Sequence, residues 1–87
     1  MIKYVLNYYD GLGDDGICLE HGKEEFVVQE ALKRSSTDQG EYTYRLEKWE
    51  VVTGSVYKQL YGQTRFFQDG KEITSDIANA LLSVVMD

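Results

Sequence analysis

Cys18 and His21 are the one pair in this chain whose types could make a nucleophile and its base. Such a dyad needs the thiol within hydrogen-bond reach of the ring. In an extended segment residues three apart point to opposite faces, and no third group stands ready to orient the ring. The sequence therefore reads as a small buried cysteine and a turn histidine. The run Asp10-Gly11-Leu12-Gly13-Asp14-Asp15-Gly16 carries the other chemistry-like spacings. As a twelve-residue calcium loop it would put Leu12 at position three and His21 at position twelve, where oxygen ligands are required. Gly11, Gly13 and Gly16 also have the spacing of a dinucleotide fingerprint, but that motif opens a helix. Here Ile17-Cys18-Leu19 follows, and Asp14 and Asp15 would repel a pyrophosphate. Solvated turn chemistry accounts for the run. Arg65-Phe66-Phe67 and Tyr42-Thr43-Tyr44-Arg45 interleave bases with rings, as single-strand binders do on sheet surfaces. The full motif of such sheets is missing, and core rings beside solvated arginines are the simpler reading. No carboxylate pair is nominated for acid–base work.

Composition narrows the classes further. One cysteine excludes a disulfide within the chain, and one histidine beside it makes a protein-ligated metal site unexpected. No cofactor or metal is expected, and the chain reads as a non-enzyme. The net charge is −6, and it is uneven: residues 1–30 hold seven acids and two bases, and residues 31–87 hold eight and seven. Such a chain repels phosphate backbones and anionic membrane surfaces at long range. Met1–Tyr9 is followed at once by acids rather than by an apolar leader region, and no apolar run approaches the ~20 residues of a membrane span. A cytoplasmic protein is expected.

The elements that must position these residues follow from periodicity. Residues 2–9 alternate, with Ile2, Tyr4, Leu6 and Tyr8 on one face and Lys3, Val5, Asn7 and Tyr9 on the other. Residues 10–16 form a loop and 17–20 a second strand, hairpin-paired with the first, which His21-Gly22 ends. Residues 24–34 read two ways. Glu24 and Glu25 at the start and Lys33 and Arg34 at the end suit a helix dipole, whereas Phe26-Val27-Val28 suits a strand; helix is preferred. Residues 35–40 form a polar turn. Residues 41–52 form a strand whose apolar parity changes after Leu46, to Trp49 and Val51. That change signals a bulge near Glu47-Lys48 or burial on both faces. After a Thr53-Gly54 turn, residues 56–61 offer a further strand. Residues 64–73 form a hairpin about Asp69-Gly70, with Gln68 opposite Lys71 and Phe66–Ile73 expected on the core face. Residues 74–86 form a helix started by Thr74 or Ser75, with Asp76 in its first turn and Ile77, Leu81, Val84 and Val85 in one stripe.

These elements describe a single α+β domain over residues 1–87: a small, mostly antiparallel sheet of four to six strands, a C-terminal helix packed on one face, and a further helix at about 24–34. Tyr4, Leu6, Leu46, Trp49, Phe66, Ile77, Leu81 and Val85 are expected in the core. The wide stripe of the C-terminal helix suggests a homodimer through Ile77, Leu81, Val84 and Val85. In size, acidity and lack of motifs the chain resembles small accessory proteins of phages and mobile elements, a likeness that assigns no residue a role. The preferred function is a protein-binding module, a regulator or inhibitor of a larger nucleic-acid-handling machine. Its acids Asp10, Asp14, Asp15, Glu20, Glu24 and Glu25 would meet a basic partner surface. A self-assembling subunit, then a small ligand-binding domain or enzyme, are the alternatives.

Overall fold

A computed structural model describes residues 1–54, 56–60 and 64–86, with the backbone alone at residues 53, 56 and 82–86. The chain runs β1 (Ile2–Tyr9), β2 (Asp15–His21), α1 (Glu24–Thr37), β3 (Thr43–Thr53), β4 (Val56–Gln59), β5 (Arg65–Gln68), β6 (Lys71–Ile73) and α2 (Ser75–Met86). All strand pairs are antiparallel. The order is β2-β1-β3-β5-β6, and β4 also pairs with β3. β3 is the axis of the sheet. One edge of it pairs with β1 on residues 43–50, and the other takes β5 on residues 44–46 and β4 on residues 49–53.

Parity assigns the two faces. Leu6 pairs with Leu46 and Tyr8 with Tyr44, and Phe67 lies opposite Tyr44. These side chains meet Val27 and Ala31 of α1 in the main core, and Leu6, Leu46, Phe67, Val27 and Ala31 are sealed from solvent. The other face carries Lys3, Val5, Asn7 and Tyr9 opposite Trp49, Glu47, Arg45 and Thr43. The β1–β3 register runs unbroken through Glu47-Lys48. The phase change in β3 is therefore burial on both faces, since Leu46 is buried on one and Glu47 on the other. One bulge lies in β2, where Cys18 is the extra residue between the Leu6–Leu19 and Asn7–Ile17 pairs, and β3 has a register shift against β4 between Val51 and Thr53. That extra residue lets both Cys18 and Leu19 pack on the α1 side.

The structure corrects four details. Residues 24–34 are helix, and the helix continues through Ser35, Ser36 and Thr37, where a polar turn was expected. Ser35 is fully buried: its hydroxyl donates to the Leu32 carbonyl at 3.2 Å and accepts from the Gly70 amide at 3.0 Å. A tertiary contact thus holds a turn of weak helix formers in the helix. In the β5–β6 hairpin, the register about Asp69-Gly70 is as the sequence implies, and both residues take the positive φ of a type I′ turn (54° and 79°). Its core residue is Phe67, however, and Phe66 and Ile73 share the opposite face, half-buried. Trp49 and Tyr4 are likewise only partly buried. In α2, which packs against β5, Ile77 is 49% exposed and Ala78 is the sealed residue. The side chains of Val84 and Val85, and Tyr61, with which the expected strand over residues 56–61 ends, lie outside the described residues.

Candidate functional site

The loop between β1 and β2 is fixed from within. The Asp10 carboxylate accepts from the Leu12 amide at 2.7 Å and the Asp14 amide at 3.2 Å. The Asp10 amide in turn donates to the Asp14 carbonyl at 3.2 Å. Gly11 and Gly13 take φ values of 80° and 107°, which side-chain-bearing residues rarely adopt. The Tyr42 hydroxyl donates to the Asp14 carboxylate, and the Tyr42 ring meets Tyr8 edge-on at 5.2 Å. The hydrogen bond from its own hydroxyl to Asp14, with some burial and the charges of Asp14, Glu41 and Asp10, raises the Tyr42 phenol above its ordinary range. Beside it, Tyr44 donates to Asp38 at 2.7 Å and is raised first by burial and then by that bond. The loop thus holds Leu12 out into solvent, 75% exposed, among Asp10, Asp14 and Asp15.

The six acids singled out from the sequence fall into two groups. Asp10, Asp14 and Asp15 share this hairpin end. Glu20, Glu24 and Glu25 lie at the other end of β2, five residues of strand or about 17 Å away. Glu20 pairs with Lys3 at 3.3 Å and Glu24 with Arg65 at 3.0 Å, while Glu25 stays in solvent. Arg65 also holds Glu72 at 2.7 Å, which depresses the Glu72 carboxyl, and Phe67 beside it is sealed in the core. That segment is a structural clamp rather than a stacking platform. Cys18 packs toward the α1 core, where burial raises its thiol against the opposing effect of Arg34. His21 stacks on Phe26 at 4.2 Å and accepts from the Lys23 amide at 3.0 Å. The two are engaged separately and make no dyad. The glycine run ends in β2, a strand. Among the described residues, no three His, Cys, Asp or Glu side chains gather as a metal site.

The face away from α1 holds what sequence reasoning missed. A concavity of about 440 Å³ lies against the hairpin loop, between Tyr9, Asn7, Ile17, Arg45, Asp14 and Asp15. A second, of about 260 Å³, continues past Asn7 and Ile17 to Lys3, Val5, Glu47, Trp49 and Tyr57. Asn7 and Ile17 line both, so the two form one trough above β1. Glu47 is buried in its floor, 3.0 Å from the Arg45 guanidinium and accepting from the Trp49 indole at 3.2 Å. Lys3 lies 3.9 Å over the Tyr57 ring. Among the described residues, two buried donors, the Asn7 amide nitrogen and Arg45 Nε, have no hydrogen-bond partner. The Arg45–Glu47 contact is an ion pair off the line of a hydrogen bond. The available signals were the mixed odd face of β1 and the parity change in β3.

No protein-family model, curated protein or solved structure matches this chain. Among the described residues no helix is long and apolar enough to cross a membrane.

Proposed function

We propose that this protein acts by binding another protein that presents a basic surface, and that it docks through the β1–β2 hairpin end. The observation that carries this reading is Leu12, 75% exposed at the tip of a loop braced by Asp10. A preorganised apolar anchor loses little freedom on docking, and the surrounding carboxylates speed encounter with cationic partners. Many basic surfaces exist to hold nucleic acid, so regulation or inhibition of a nucleic-acid-handling machine is the activity proposed. A cytoplasmic setting belongs to this reading and suits a chain whose single cysteine has no partner within it.

The test is affinity capture from the native host with the wild-type protein and with Leu12→Ser, followed by kinetics on the captured partner. Leu12→Ser should weaken retention at least tenfold. Asp15→Asn should slow association and flatten its salt dependence. Equal retention and equal rates for all three proteins would overturn the reading. Ile77, half in solvent, favours a second reading, a homodimer through Ile77, Leu81, Val84 and Val85. A sedimentation profile of one 10.0 kDa species at high micromolar concentration would end it.

A further inference from the structure

His21 ends β2 two residues before the N-cap of α1, and its ring braces that corner. Its Nδ1 accepts from the Lys23 amide at 3.0 Å. A backbone amide can only donate, so Nδ1 carries no proton in this arrangement. The ring lies on Phe26 at 4.2 Å, with 23° between the planes. Lys23 holds the N-cap position, and lysine has no side-chain oxygen with which to cap the first turn. The Lys23 carbonyl accepts from the Val27 amide at 3.4 Å, the hydrogen bond that opens the helix. One residue thus joins the histidine to the start of α1, its amide held by the ring and its carbonyl by the helix.

The charged and titratable groups about the ring come from each element that meets it. On β1, Tyr4 is its cross-strand partner, and on β3 Lys48 lies 6.0 Å over the Tyr4 ring. α1 brings Lys23, Glu24 and Glu25, and β2 brings Glu20. Glu24 is held by Arg65 of β5 at 3.0 Å and Glu20 by Lys3 at 3.3 Å. These charges are of both signs. The Nδ1 contact differs in kind, because a protonated ring sets two donors face to face. With the ring flat on Phe26, a half-turn of the imidazole or a shift of Lys23 relieves that clash, and either frees the amide.

We infer that the β2–α1 corner is a proton-operated latch, in which neutral His21 fixes Lys23 and the first turn of α1, and protonation of Nδ1 releases them. The turn released carries Glu24, Glu25 and the half-exposed Phe26. The chain has one imidazole, and imidazole is the side chain that ordinarily changes charge between about pH 5 and pH 8. The latch lies at the far end of β2 from Leu12, and it does not rest on the docking reading.

The experiment is an NMR titration of the whole protein from about pH 8 to about pH 5, with the wild type, His21→Asn and His21→Phe. At the high end the His21 ring should be the tautomer with its proton on Nε2. On acidification the wild-type Lys23 amide proton should move upfield with the same midpoint as the His21 ring carbons. Protection of the Val27 amide against exchange should fall by about threefold or more. In His21→Asn the side-chain oxygen takes the place of Nδ1 and accepts from the amide two residues on at every pH. Its Lys23 amide should stay downfield, and its Val27 protection should not change. His21→Phe keeps a ring on Phe26 without an acceptor, so its Lys23 amide should hold the upfield position throughout. His21 is only partly buried, so both variants keep their fold, which their melting curves verify. The inference is overturned if the ring proton sits on Nδ1 at the high end, or if the wild-type Lys23 amide does not move. It is equally overturned if that amide moves alike in His21→Asn, or if Val27 protection is the same at both ends of the titration.

Discussion

Replacing Asn7 by leucine should make this protein more stable. The Asn7 amide nitrogen is a buried donor with no partner among the described residues, and an unmet buried polar group costs about 1–3 kcal/mol. The residue as a whole is only partly buried, which places the gain at the lower end. Leucine would also lie directly opposite Ile17 on β2, an apolar cross-strand pair worth about 0.2–1 kcal/mol. Against this, the larger apolar side chain leaves some new surface in water. A net gain of about 1 kcal/mol corresponds to a rise in Tm of about 4–8 °C for a domain of this size. Urea unfolding reports it directly, because Trp49 is the single tryptophan and lies in the same trough. The urea midpoint should rise with an unchanged slope. A midpoint equal to or below the wild type would mean that the amide is already satisfied in the free protein.

Two further predictions concern the fold that carries the site. Ser35→Ala should cost about 0.5–1.5 kcal/mol, because it strips the Gly70 amide of its acceptor, and should speed hydrogen exchange at Gly70. Unchanged exchange there would show that the α1 end does not hold the β5–β6 turn. Tyr42 and Tyr44 donate to carboxylates, and burial raises Tyr9 against the opposing effect of Arg45. Raised folded-state phenol values favour the neutral form, so their contribution is full below about pH 10 and is lost as pH climbs through the folded values. In ultraviolet titration, Tyr9, Tyr42 and Tyr44 should ionise only above the ordinary phenol range and together with unfolding. Ionisation of these three phenols in the ordinary range, below the unfolding transition, would contradict this.

Alternation in residues 2–9, the Asp69-Gly70 turn and the apolar run after Ser75 were enough, with no tertiary information, to establish an antiparallel α+β domain with a C-terminal helix. Each is a local signal: strand period, positive-φ residue types, helical spacing. The acidic loop and its glycines were also legible, and the structure adds the hydrogen bonds that make it rigid. What local signals could not decide was which side of each strand mattered. Phe66 and Phe67 are adjacent and alike, and only pairing with Tyr44 sends Phe67 into the core. Ser35 reads as turn in isolation, and only the Gly70 amide from the distant hairpin makes it the buried end of a helix. The six acids were one cluster along the chain, but the length of β2 separates them into two. The trough was least legible of all. Asn7, Ile17, Arg45 and Trp49 come from three strands, and a surface assembled by sheet register exists only when the register does. Composition and periodicity thus determined the kind of domain, whereas long-range pairing decided its inside, its outside and its candidate binding face.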